Sequence, residues 1–326
     1  MPLIFSHLTR EQLQTLHPPQ TVFLFPIGLL EDHGPHLPMG LDLHEASTLC
    51  DLAAQRLEQE MPGWTCVLMP AAPLGVDGIT SESPLTVRAH VLRDWLVDAC
   101  RALIRQDFIH FVAFSGTHSP KQLTAIEDAG KIIARSGMLG LGWLSVLARA
   151  LGTGGSWVRA RPSLISASSS LVSASKVRQS PLYSDPEEHG GKRDTSVALA
   201  LSPELVGPHA LQLLPVERSK SRIRRWFRHW RRKSGGYWGA PAQAHPEHGV
   251  AELREQLDTI IPKLRAVYQE GANPEYLFRS WYSVIPLNQS FFLAWILGFS
   301  SLLLIGVWFY LTWKTTPLSS LFNQDY

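Results

Sequence analysis

Short apolar runs alternate with longer stretches of helical period through most of this chain. Thr21–Ile27 (TVFLFPI), Thr65–Met69 (TCVLM) and Phe108–Phe114 (FIHFVAF) are too short for globular helices and rich in β-branched and aromatic residues. They read as buried strands, the first with a late kink at Pro26. Between and after them, apolar residues recur at three- and four-residue spacing. Leu43–Gln59 carries Ala46, Leu49, Cys50, Ala53 and Leu57, and Val87–Gln106 carries Val91, Trp95, Leu96, Ala99 and Leu103 on one stripe; both predict amphipathic helices. Gln122–Ser136 and His248–Gln269 read the same way. A short opening helix falls within residues 6–16, with Thr9 as its cap, and another covers Val197–Leu201 before Pro203. Residues 137–183 are the least legible. Gly137–Leu151 is apolar but too short to cross a membrane, and the serine-rich Ser163–Ser175 is either a strand or a mobile loop. Strands alternating with helices predict an α/β fold with a mostly parallel sheet.

The last apolar run breaks this rhythm. Phe291–Trp313 holds 23 residues without a charge. At 1.5 Å per residue it would rise about 34 Å, enough for a hydrocarbon core. Aromatic residues gather at both margins, Phe291 and Phe292 at one and Trp308, Phe309, Tyr310 and Trp313 at the other. The expectation is one C-terminal transmembrane helix. The start of the chain, MPLIFSHLTREQL, lacks the basic-then-apolar pattern of a signal peptide.

Composition adds little. The chain has 326 residues, 45% hydrophobic, with a formal net charge of +2, so no polyanionic partner is implied by overall charge. Cys50, Cys66 and Cys100 are scattered without metal-ligand spacing and read as free thiols of a reducing compartment.

The chemistry concentrates in Phe25–Ala46, FPIGLLEDHGPHLPMGLDLHEA. Gly28, Gly34, Pro35, Pro38 and Gly40 exclude a regular element. Within it stand four candidate metal ligands, Glu31, His33, His36 and Asp42. In extended backbone Glu31 and His33 face the same side, and Asp42 returns after the Pro/Gly turn. Imidazole with carboxylate suits zinc, manganese or iron. Taken alone, a Glu-x-His loop is more often surface decoration.

The full string, however, resembles the signature of the creatininase family (creatinine amidohydrolases): Pro-[Ile/Val]-Gly-x-x-Glu-x-His-Gly-Pro-His-Leu-Pro-x-Gly-x-Asp, matched from Pro26 to Asp42. Ser115-Gly116-Thr117-His118 resembles the family's Asn-Gly-His-Gly-Gly-Asn block, with a His one residue late and neither Asn. Pro120 stands where creatininases proper can place a further Glu. His189-Gly190-Gly191-Lys192-Arg193-Asp194-Thr195-Ser196 resembles the His-Ala-Gly-Glu-x-Glu-Thr-Ser block, and Gly236–Pro241 with Ala244 and Gly249 the closing segment. Ser83–Thr86 keeps only Pro and Thr of a substrate-facing loop.

The resemblance, over about residues 20–270, implies a three-layer α/β/α domain. It implies two divalent ions (zinc, manganese or iron) held by Glu31, His33, Asp42, His118 and Asp194, with Asp42 shared and His118 rather than Thr117 as the ligand. His189 would carry protons or contact substrate. The implied reaction is metal-assisted hydrolysis of an amide or cyclic-amide C–N bond in a small molecule or modified peptide. The eroded Asn-Gly-His block keeps a second reading open, a catalytically weakened, membrane-bound binding or assembly subunit.

Residues 218–233 have no counterpart in the family. Nine Lys/Arg interleave there with Trp226, Phe227 and Trp230. A solvated face is the bland reading. Next to a membrane span, a basic amphipathic helix bearing Arg224, Arg225, Trp226, Arg228, Trp230 and Arg231 fits anionic lipid better than nucleic acid. The expected organisation is thus a metallohydrolase domain over 1–275, a linker over 276–290, the span over 291–313 and a tail over 314–326, with the domain on the cytoplasmic side. A homo-oligomer is compatible with all of this.

Overall fold

The structure, a computed structural model, describes residues 1–78, 85–117, 119–139, 163–168, 188–217, 235–273, 277 and 289–315. It divides into two units, Met1–Ser280 and Trp281–Tyr326.

The first unit is built on a five-stranded sheet, β1 (Leu3–Ile4), β2 (Thr21–Ile27), β3 (Thr65–Leu68), β4 (His110–Ser115) and β5 (Ser163–Ser168), in the order β1-β3-β2-β4-β5. Every pairing is parallel. Parallel sheets are covered on both faces, so their strands are apolar on both sides, and all seven residues of β2 are buried. Successive side chains go to opposite layers. Val22 and Leu24, with Val112, Phe114 and Ile165, join a core with the helices α2 (Leu41–Glu60), α5 (Lys192–Leu201) and α6 (Pro246–Glu270). Phe23, Phe25 and Ile27, with Phe111, Ala113 and Leu164, join a core with α3 (Ala89–Ile104) and α4 (Pro120–Leu139). Each fully buried Val, Leu or Phe contributes about 1.5–3 kcal/mol, so the two layers hold the sheet from both sides. The three-layer α/β/α expectation is met.

The opening helix α1 (Arg10–Thr15) is capped by Thr9, whose side chain accepts from the Gln12 N–H while the Gln12 side chain accepts from the Thr9 N–H. Ser163–Ser168 is a strand, and the remainder of the serine-rich stretch lies outside the described residues. The expected stripe of α3 is shifted. Leu92, Leu96, Val97, Cys100 and Leu103 are buried, whereas Trp95 stands at the rim, edge-on to Phe25 at 6.2 Å. Helix α5 begins at Lys192 rather than Val197 because the Glu188 carboxylate accepts from the N–H groups of Lys192 and Arg193. A carboxylate there satisfies orphan donors and suits the helix dipole. The three cysteines are free and buried, and burial pushes the Cys66 thiol up to about 12.

In the second unit one helix, α7, runs Gln289–Thr315, and Ile296 through Leu311 are exposed along it. Among the described residues no helix is long and apolar enough to cross a membrane. The expected span Phe291–Trp313 is therefore not shown. The basic segment with Arg224, Arg225, Trp226, Arg228, Trp230 and Arg231 lies outside the described residues.

Candidate metal centre

The β2–β4 register sets Ile27 opposite Ser115, so both strands end level at the carboxyl edge of the sheet. Open α/β sheets place their ligands at this edge. The first turn of α2 comes down onto it. Gly116 allows this approach, since a Cβ there would sit 1.9 Å from the Asp42 carbonyl oxygen. The turn brings Asp42, on α2, against the end of β4.

Glu31, His33 and His189 form the centre of the site. All three are buried, and one ligand atom from each lies within 4.8 Å of the others. His33 and His189 stack at 4.5 Å between ring centroids. Gly190, at φ +57°, lets the chain after His189 pass the His33 carbonyl, which a Cβ would meet at 2.2 Å. An antiparallel backbone pair between His189 and Trp238, at 3.1 and 2.8 Å, fixes this turn from the other side. The Trp238 ring lies 5.0 Å from His189, and Tyr237 lies edge-on to His36 at 5.7 Å. His36 itself bonds Thr195 Oγ1 at 2.9 Å rather than joining the group.

Both central imidazoles are fixed by backbone carbonyls. His33 Nδ1 contacts the Glu31 carbonyl at 3.1 Å, and His189 Nε2 contacts the Asp32 carbonyl at 2.8 Å. A carbonyl only accepts, so those nitrogens carry protons, and the other nitrogen of His33, Nε2, faces Asp42 Oδ1 at 3.2 Å. Metal-binding histidines are held in this manner.

The electrostatics are those of a cation site. Burial alone lowers the His33 pKa. The hydrogen bond and charge of Asp42, with the charges of Asp194 and Glu31, outweigh it and hold His33 up at about 10. His189, by contrast, is lowered by burial and by the charge of His33. Burial raises Asp194, yet Arg193, His33, His189 and the Gly190 N–H bring it down to about 2. Carboxylates that hold a proton so firmly on a buried imidazole also favour a divalent ion, and the His/Glu donor set suits one. The residues fit a metal.

The expected ligands divide accordingly. Glu31 and His33 are brought together. Asp42 joins through His33 Nε2, 3.2 Å from its Oδ1, and receives Thr117 Oγ1 on Oδ2 at 2.7 Å. Asp194 is in electrostatic reach of both imidazoles but accepts from the Gly190 N–H at 2.7 Å and from Arg193 Nη1 at 3.0 Å. His118 lies outside the described residues. His189, expected only as proton carrier or substrate contact, sits inside the group.

Sequence reasoning missed the supports. Arg193 pairs with Glu45 on α2 at 2.6 Å, with Asp194 at 3.0 Å and with Glu252 on α6 at 3.4 Å. Gln256 donates to Glu45 and to Glu252, each at 3.2 Å. Burial and the Glu45 charge raise Glu252 to about 8, while burial and the Asp194 charge raise Glu188 to about 7. Acidic residues on an apolar helix stripe were the available signal, because Glu45 falls between the core positions of α2.

A parallel α/β/α sandwich with a buried His/carboxylate centre at the strand ends defines a class of metal-site α/β proteins. Within it, the chain belongs to the creatininase family, whose description is creatinine amidohydrolase and which matches residues 6–264. No curated protein matches the chain in sequence. Solved structures share its fold. A tryptophan mutant of creatininase is 21% identical, with a TM-score of 0.60, covering 82% of this chain and 99% of its own. A creatininase described with manganese is 20% identical, with a TM-score of 0.57, covering 82% and 100%. A mutant creatininase complexed with creatine is 21% identical, with a TM-score of 0.56, covering 82% and 100%.

Proposed function

We propose that this protein is a metal-dependent amidohydrolase that cleaves an amide or cyclic-amide C–N bond in a small molecule or modified peptide. The observation that carries the reading is the buried Glu31–His33–His189 group with both imidazoles oriented by backbone carbonyls. Glu31 and His33, with Asp42 beside them, would hold zinc, manganese or iron. Such an ion, when bound, makes water acidic and polarises a carbonyl. His189 is the proton carrier: its Nε2 is fixed by the Asp32 carbonyl and its burial favours the neutral ring, which can take a proton and return it to a leaving nitrogen. Trp238 and Tyr237 supply an aromatic wall beside His189 and His36, suited to a small planar amide. A mutant creatininase of the same fold is described in complex with creatine, which supports a small substrate.

The same reading places the domain on the cytoplasmic face of a membrane. The uncharged run Phe291–Trp313 within α7 would anchor it, and the basic segment 218–233 would lie against anionic lipid. One observation favours the second reading, a weakened family member acting as a binding or assembly subunit: Thr117 follows Gly116 and is committed to Asp42. Purified protein incubated with a panel of small linear and cyclic amides, followed by mass spectrometry for the gain of one water, tests the first reading. Hydrolysis that stops on chelation and returns with metal supports it. Metal-loaded protein inert toward the whole panel favours the second.

A further inference from the structure

Two carboxylates flank the Glu31–His33–His189 group, and both are already engaged by donors of this chain. Thr117 Oγ1 accepts from the Leu29 N–H at 2.9 Å, so its own proton is directed to Asp42 Oδ2, 2.7 Å away. Both residues are buried. Asp42 Oδ1 faces His33. Asp194 is held at both oxygens, Oδ1 by the Arg193 guanidinium and Oδ2 by the Gly190 N–H. The guanidinium is permanently charged and is itself locked by Glu45 and Glu252. A second dication ligated by Asp194 would have to sit close to this fixed positive charge at low dielectric, where like charges repel strongly. The cation that Asp194 and Glu45 require is built into the protein.

We infer that the site takes a single divalent ion per chain, held by Glu31 and His33 beside His189, and that Thr117 and Arg193 are positioning residues that hold Asp42 and Asp194, the Arg193 guanidinium supplying the positive charge that a second ion would bring. The inference rests on the metal-dependent reading above. It departs from the two-ion arrangement that the first motif implies.

The test is metal stoichiometry of the full chain in detergent, loaded with excess Zn²⁺ or Mn²⁺, freed of unbound ion and measured by elemental analysis and native mass spectrometry. One ion per chain is expected. Two ions overturn the inference and leave the hydrolase reading intact, whereas no ion overturns both. Thr117→Val should weaken metal affinity about 10-fold to 100-fold, as loss of an outer support does, with Thr117→Ser restoring it; unchanged affinity in Thr117→Val removes Thr117 from the proposal. Arg193→Lys should keep one ion, while folded Arg193→Gln, checked by circular dichroism, should gain a second, weaker one. A folded Arg193→Gln that stays at one ion overturns the role of Arg193. If that variant does not fold, the wild-type and Arg193→Lys counts decide.

Discussion

Thr117 Oγ1 donates a 2.7 Å hydrogen bond to Asp42 Oδ2 across the junction between the end of β4 and the first turn of α2. The contact spans 75 residues of sequence and ties the strand edge to the helix that carries the acidic side of the site. Hydrogen bonds to a buried charge contribute about 1.5–3 kcal/mol. Thr117→Val keeps the shape and removes both the donor to Asp42 and the acceptor for the Leu29 N–H. Chemical denaturation should show a loss of about that size. A loss within experimental error would mean that Asp42 finds another partner at no cost.

His33 and His189 stack on each other, yet they are assigned different work. His33→Gln should empty the site of metal. His189→Gln should retain metal and lower turnover by roughly 10²–10⁴, the usual worth of a positioned acid–base group. Elemental analysis beside kinetics on a panel amide separates the two. Metal lost from His189→Gln would make His189 a ligand.

How far could this site be read before folding? The segment Pro26–Asp42 was legible because its ligands are close in sequence and its turns are forced by Gly and Pro. Strand β2 was legible because burial on both faces leaves an unbroken apolar run. Thr117 was not, since a Thr next to a His draws attention to the imidazole, and only the register of β4 against β2 brings the Thr117 hydroxyl to Asp42. Arg193 occupied an unspecified position of its motif. Its partners Glu45 and Glu252 lie on helices far away in sequence, and no local periodicity announces their contacts with Arg193. Trp95 was misplaced by one face of α3 because a large aromatic ring can reach the core from its rim.

Glu252 contributes a pH dependence to the fold: at neutral pH its Oε1 accepts from Arg193 and Gln256 while the carboxyl keeps its proton. Its folded pKa is raised from 4.5 to about 8 by burial and by Glu45. The folded state therefore holds this proton more tightly than the unfolded chain does. This group's stabilising share is fully present below about 4.5 and is lost as pH rises through about 8. The melting temperature of Glu252→Gln should exceed that of the wild type by more at pH 9 than at pH 5. A difference of a few degrees is expected, because about 1 kcal/mol corresponds to roughly 2–4 °C in a domain of this size. The same difference at both pH values would contradict the assignment.

The membrane tether is tested by truncation. Protein ending before Phe291 should need no detergent, bind anionic vesicles weakly through its basic segment and leave them at high salt, since exposed charge attraction is screened. The full chain should stay on the vesicles in salt and require detergent. A full chain that remains in solution without detergent, or a domain cleaved by protease only from outside the cell, would remove the tether and the cytoplasmic placement.

The most direct measurement of the central claim is a crystal structure of metal-loaded protein with anomalous data collected at the edge of the bound metal. The account predicts an anomalous peak between Glu31 and His33, with His189 beside it and Arg193 still paired to Asp194. A peak elsewhere in the domain, or none with Glu31 and His33 in place, would contradict it.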